Sequence, residues 1–124
     1  MKYFLGSNII IYYLNGDKNI QSFLEKYKSE STMLIITYYE ILNYDFSYEE
    51  EIIVRKFLEG FEIINISKNI INKALQNRKH KKIKMADNFI ISTAQIFNLC
   101  LVTRNTKDFS YLDYHMLNPF NNPS

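Results

Sequence analysis

Cysteine, proline and glycine are scarce in this chain of 124 residues, which holds one Cys, two Pro and three Gly. A single cysteine excludes an internal disulfide and suits a reducing, cytoplasmic setting. Three glycines leave no Rossmann fingerprint and no P-loop. Cys/His spacing of the zinc-binding kind is missing as well. No apolar run approaches the ~18 residues that would span a membrane. The N-terminus lacks the long apolar core of a secretory leader, so a membrane is not expected among the partners. The formal net charge of +2 is too small to name a partner by itself. What the chain does have is apolar residue, 47% of the total. That is a globular composition, read as one domain over 1–124 with a frayed tail at 121–124.

The pattern alternates between strands and helices. Lys2 to Leu5 opens as a strand, Gly6-Ser7-Asn8 breaks it, and Ile9 to Leu14 continues as an apolar helix with Ser7 or Asn8 as its cap. Asp17 is placed to cap a second helix, in which Ile20, Phe23, Leu24 and Tyr27 recur at i, i+3, i+4 and i+7. Thr32 to Thr37 reads as a second strand, followed by a helix through Tyr38–Tyr44. Another helix starts near Ser47 with Ile53, Phe57 and Leu58 inward, and Gly60 stops it. Phe61 to Ile66 reads as a third strand. Ser67 caps a helix that turns Ile71, Ala74 and Leu75 to one face and ends in the basic run Arg78-Lys79-His80-Lys81-Lys82. A last strand is expected near Tyr114 to Leu117. Strands alternating with helices argue an α/β sandwich with a parallel sheet.

The stretch from Lys84 to Phe109 organises the rest. Asp87, Ile90, Ile91, Ala94 and Asn98 share a helical stripe. A carboxylate heading an apolar stripe is costly unless it is paired or bound to a metal, and a helix N-terminus favours its ionised form. Leu99 to Val102 is apolar on both faces, as in a covered parallel strand, and Cys100 within it reads as a small buried hydrophobe. Thr103, Asn105 and Asp108 follow that strand at its carboxyl end, where α/β sheets form their sites.

Asp87-x-x-Ile90-x-x-x-Ala94 leading to Leu101-Val102-Thr103-Arg104-Asn105-x-x-Asp108-Phe109 resembles the C-terminal half of PIN-domain nucleases, especially toxins of the VapC type from type II toxin–antitoxin modules. The resemblance spans Phe4 to Phe109. It implies a three-layer PIN-like sandwich with a central, mostly parallel sheet of four or five strands. It also implies an Mg²⁺- or Mn²⁺-dependent endoribonuclease acting on RNA, transfer RNA among the candidates, working as a homodimer with a cognate antitoxin. Mg²⁺ and Mn²⁺ take oxygen ligands, and a metal-bound water can attack phosphorus while the ion neutralises charge on the phosphate.

By that resemblance Glu40, Asp87 and Asp108 are the second, third and fourth acids, catalytic and metal-ligating. Thr103 and Asn105, with Ser7 and Asn8, support them. Two of the acids have a plainer reading. Thr37-Tyr38-Tyr39-Glu40 is also a capping box, and Asp108 could cap a turn. The departure is at Gly6. The family's first strand ends Leu-Asp-Thr-Asn or Leu-Asp-Ser-Asn, and here Leu5-Gly6-Ser7-Asn8 keeps everything but the aspartate. Glycine could simply suit the turn. The sharper reading is replacement of the first catalytic Asp, natural or engineered, which leaves this chain inactive or impaired.

Arg78, Lys79, Lys81, Lys82 and Arg104 are placed to meet a phosphate backbone, although a run of like charge is often a solvated helix end. A second class of function is kept beside the first, a catalytically inert PIN-fold module that binds RNA or antitoxin. A receiver-like phospho-acceptor domain fits poorly, because the acids here fall in helix heads.

Overall fold

The computed structural model describes residues 3–104, 106 and 115–121. Five short strands form one sheet: β1 (Tyr3–Leu5), β2 (Ser31–Leu34), β3 (Glu62–Ile64), β4 (Cys100–Val102) and β5 (His115–Leu117). Their order is β3-β2-β1-β4-β5 and all four pairings are parallel. Six α-helices are described: α1 (Ser7–Leu14), α2 (Lys18–Tyr27), α3 (Ile35–Leu42), α4 (Tyr48–Glu59), α5 (Lys68–His80) and α6 (Met85–Phe97).

Adjacent strand residues feed opposite layers, as the two-residue period of a strand requires. Leu5, Met33 and Val102 join Ile9, Ile20 and Leu58 under α1 to α4. Phe4, Leu34 and Leu101 join Ile70, Ile90 and Ala94 under α5 and α6. Each strand residue buried this way contributes roughly 1.5–3 kcal/mol of apolar transfer. The sandwich is therefore three-layered, with β2 and β4 buried along their whole length and exposure confined to the edge strands β3 and β5 apart from a half-buried Tyr3.

Several helix starts follow the sequence expectation. Asp17 accepts from the N–H groups of Asn19 and Ile20, Ser67 accepts from Ile70, and Ser47 and Glu50 form a reciprocal capping box. Gly16 takes a positive φ of 83° in the turn between α1 and α2. Helix α4 does end at Glu59, with Gly60 in an ordinary right-handed conformation after it.

Other expectations fail. The second strand stops at Leu34, and α3 begins at Ile35 rather than at Tyr38. A short apolar run has no periodicity to separate strand from helix. The third strand is confined to Glu62–Ile64. In α4 Leu58 is inward as expected, joined by Val54, while Ile53 is 69% exposed. In α5, Ala74 is buried as expected, but Leu75 is 55% exposed, and Ile70 and Asn77 are buried in place of Ile71 and Leu75. Asn98 is not part of the buried stripe. It ends α6 in the left-handed region with φ 52°, which Asn tolerates better than other side chains with a Cβ.

The seam between α5 and α6 is polar at its centre. The Asn77 side-chain amide donates to Ser92 Oγ at 3.0 Å and to Gln95 Oε1 at 2.8 Å. Ser92 in turn donates to Asn88 Oδ1, and Asn88 Nδ2 donates to the Ala74 carbonyl at 2.8 Å. These bonds satisfy groups that would be costly to bury alone.

Candidate active site

The carboxyl ends of β1, β2 and β4 lie side by side, and the elements that leave or enter there carry the polar residues. Gly6 directly follows β1. Its N–H donates to the Val102 carbonyl at 3.4 Å, tying β1 to the end of β4. Its carbonyl accepts from Ile9 at 3.2 Å, so Gly6 itself is the N-cap of α1. The expected cap, Ser7, is instead the first helical residue. Its hydroxyl donates to Glu40 Oε1 at 2.5 Å across the edge. Asn8 is exposed in the same first turn.

Glu40 sits in α3, half-buried. The expected capping box is not formed, because α3 starts at Ile35 after Leu34. Thr37 then lies inside the helix, fully buried, and its Oγ1 has no hydrogen-bond partner. The carboxylate of Glu40 is thereby released from a capping role and is held by Ser7.

Asp87 occupies the first turn of α6 and is half-buried. Helix α6 feeds β4 through Asn98 and Leu99 alone, so it runs antiparallel to that strand. Its first turn therefore lies toward the same sheet edge as Gly6, Ser7 and Glu40. Thr103 follows β4, is buried, and donates its N–H to the Leu117 carbonyl at 3.0 Å. Asn105 and Asp108 lie outside the described residues. Cys100 is buried in β4, and that burial raises its thiol pKa, which suits a packing role.

The backbone at Gly6 does not need glycine. Its φ of −77° and ψ of 163° are extended values open to any residue. A Cβ added there would meet one atom within 4 Å, the Val102 carbonyl oxygen at 3.7 Å, an ordinary contact. The turn explanation of Gly6 therefore loses its physical basis, and a Cβ is accommodated there, one residue before Ser7.

Among the described residues no three His, Cys, Asp or Glu side chains gather closely enough to hold a divalent metal ion. Glu40 and Asp87 are the acids described at this edge, and two carboxylates by themselves are fewer than the oxygen ligands such an ion takes.

Of the cations, Arg78, Lys79 and Lys82 are exposed at the end of α5 and just beyond it, with Lys81 between them. Arg104 is engaged within the fold. Its Nη1 donates to the Tyr12 hydroxyl at 2.9 Å, and its guanidinium lies 4.6 Å from the Phe120 ring centre and 5.5 Å from that of Tyr12. Sequence reading had no local signal for this clamp, whose members come from α1, the end of β4 and the C-terminal turn. It also missed the Ser7–Glu40 bond, where a shared sheet edge for Ser7 and Glu40 was the available clue.

Comparison with known proteins agrees with this architecture. The PIN domain family model matches residues 3–113. A chain of a toxin–antitoxin complex from Klebsiella pneumoniae superposes with a TM-score of 0.85 at 32% identity, over 95% of this chain and 98% of that one. A chain of VapBC2 from Rickettsia felis, bound to a promoter DNA fragment, gives 0.80 at 25% identity over 95% and 98%. VapBC-1 from nontypeable Haemophilus influenzae gives 0.80 at 24% identity over 98% of this chain and 100% of that one, a likeness of fold. Curated proteins gave no significant match. With the family model spanning nearly the whole described chain and a relative 32% identical across it, the chain belongs to the PIN-domain family.

Proposed function

We propose that this chain is a VapC-type toxin nuclease by descent whose metal-dependent endoribonuclease site is disabled at Gly6. Glu40 and Asp87, with Asp108, are the remaining acids in this reading. Ser7 orients Glu40, and Asn8, Thr103 and Asn105 complete the surroundings. In an intact site the divalent ion, Mg²⁺ or Mn²⁺, would supply an acidified water and neutralise phosphate charge. Here Gly6 leaves that set incomplete, and the chain's own residues go no further than a held carboxylate and a neighbouring acid at one sheet edge.

The observation that carries this reading is the unstrained, uncrowded backbone at Gly6, beside Glu40 already held by Ser7. A glycine with no conformational duty, at the position where PIN nucleases bear an aspartate, points to loss of a side chain rather than to a demand of the fold. An antitoxin partner belongs to the same proposal, supported by the likeness to a chain of a Klebsiella toxin–antitoxin complex, and a homodimer belongs to it by family resemblance alone. An inert module that still binds antitoxin is the second reading, favoured by Gly6 itself.

The test is to compare the chain with its Gly6→Asp variant on total RNA in Mg²⁺ or Mn²⁺, with Asp87→Ala in the variant background as control. Cleavage by Gly6→Asp, abolished by Asp87→Ala, is the expected result. Cleavage by the unaltered chain that depends on Asp87 would show that the site works without the first acid and would refute the disabled-site reading. Absence of cleavage by every variant, with antitoxin binding retained, would move the inert-module reading to the front.

A further inference from the structure

Arg104 stands two residues past Val102, the last residue of β4, whose carbonyl accepts from Gly6. Its side chain is exposed, yet its conformation is fixed from several sides. Nη1 donates to the Tyr12 hydroxyl at 2.9 Å. The guanidinium lies 4.6 Å from the Phe120 ring centre and 5.5 Å from that of Tyr12. Those two rings meet edge to face, with 4.9 Å between their centres. The main chain is held as well. The Arg104 carbonyl accepts from Asn118 Nδ2 at 3.4 Å, and Asn118 Oδ1 accepts from the Phe120 N–H at 2.9 Å. One short turn therefore locks both the cation and the ring against it.

A guanidinium carries five N–H donors, and the Tyr12 contact uses one of them. Among the described residues no ion pair joins Arg104 to a carboxylate. A clasp that only tied the C-terminal turn to α1 would not need an exposed cation, whereas an anion arriving from solvent does. The planar fork of arginine matches two oxygens of a phosphate. The Tyr12 hydroxyl accepts from Nη1, so its own proton is left for a phosphate oxygen. Long cationic side chains lose rotamer freedom when they grip a ligand. Arg78, Lys79 and Lys82, exposed around the end of α5, face that cost in full, while the rings have already removed it at Arg104. Tyr12 shares α1 with Ser7, the residue that holds Glu40, and follows it by about 7.5 Å along the helix axis.

We infer that Arg104, fixed by Tyr12 and Phe120, contacts a backbone phosphate of single-stranded RNA on the α1 flank of the acidic edge. The inference takes its substrate class from the nuclease reading and nothing more, because the contact needs neither a metal ion nor cleavage. Such a contact sets the register of the strand and not its sequence, since the phosphates are alike at every base.

The probe is a fluorescein-labelled oligouridylate of about ten nucleotides, mixed with the full chain in EDTA so that nothing is cut. Its affinity is followed by anisotropy as salt is varied. The unaltered chain should bind, and Arg104→Gln should weaken binding at least about fivefold. The slope of log affinity against log salt should fall by about 0.7, the effect of one phosphate on a single strand. Arg104→Lys keeps the charge without the fork, so it should bind less tightly with the slope unchanged. Tyr12→Phe keeps the ring and should weaken binding by a smaller factor; with Arg104→Lys it carries the test if Arg104→Gln fails to fold in circular dichroism. An oligoadenylate should respond in the same way. A salt slope indifferent to Arg104→Gln, with only the melting point lowered, would reduce the clamp to a structural clasp and overturn the inference. No binding by the unaltered chain at low salt would overturn it too. So would displacement of the RNA by a glutamate peptide of equal charge, or by inorganic phosphate at an equal concentration of phosphate groups. RNA cut by Gly6→Asp but bound without regard to Arg104 would sink this contact and leave the nuclease reading standing. RNA bound through Arg104 but cut by no variant would do the reverse.

Discussion

Thr37 lies three residues before Glu40 in α3, and Gly6 directly precedes Ser7. The Thr37 hydroxyl is buried without a partner. Replacing it by Val keeps the shape and removes the unmet polar group, so Thr37→Val should be neutral or stabilise by up to about 1 kcal/mol. A capping threonine would behave oppositely, losing about 1 kcal/mol. Urea unfolding at neutral pH separates the two. At Gly6 the extended backbone and the open Cβ position predict that Gly6→Ala stabilises by about 0.4–1 kcal/mol, chiefly by restricting the unfolded chain. Without a divalent ion, Gly6→Asp should melt below Gly6→Ala, because its carboxylate joins Glu40 and Asp87 at one edge. A Gly6→Ala that melts well below the unaltered chain would mean that the turn needs glycine after all.

At the scale of elements, the seam between α5 and α6 sets where the first turn of α6, and so Asp87, comes to lie. Asn77 bonds both Ser92 and Gln95, and Asn88 ties the next turn to the Ala74 carbonyl. Asn77→Ala removes two hydrogen bonds at once and should cost about 2 kcal/mol in denaturant unfolding. An effect within about 0.5 kcal/mol would show that the seam is held by apolar packing instead. The caps at Asp17, Ser47 and Ser67 were legible in the sequence because a cap is a local event between near neighbours. The start of α3 was not, since Met33 to Ile36 is apolar throughout and either element would bury it. The exposure of Ile53 and Leu75 was equally hidden. A helical stripe gives spacing, but the packing of neighbouring helices decides which apolar residue of the stripe faces out.

Across the whole molecule the parallel pairings and the three layers follow from alternating strands and helices, and from the split of Phe4 and Leu5, or Leu101 and Val102, between two cores, whereas the strand order β3-β2-β1-β4-β5 was not legible in that alternation. Contacts between distant segments were beyond a local reading. The clamp of Arg104 by Tyr12 and Phe120, and the bond from Ser7 to Glu40, join residues brought together only by the fold. Glu40, Asp87 and Asp108 were named through family resemblance alone, and the structure adds that Gly6 has an unstrained, extended backbone. The central claim is that one missing carboxylate separates this edge from a complete ion site, and its most direct test is Mn²⁺ titration calorimetry on the unaltered chain and on Gly6→Asp. Weak binding by the unaltered chain, tightened at least about tenfold by Gly6→Asp and lost again on adding Asp87→Ala, is the predicted result. Equal affinity in the presence and absence of the restored aspartate would contradict the account, because Gly6 would then have removed nothing that the ion uses.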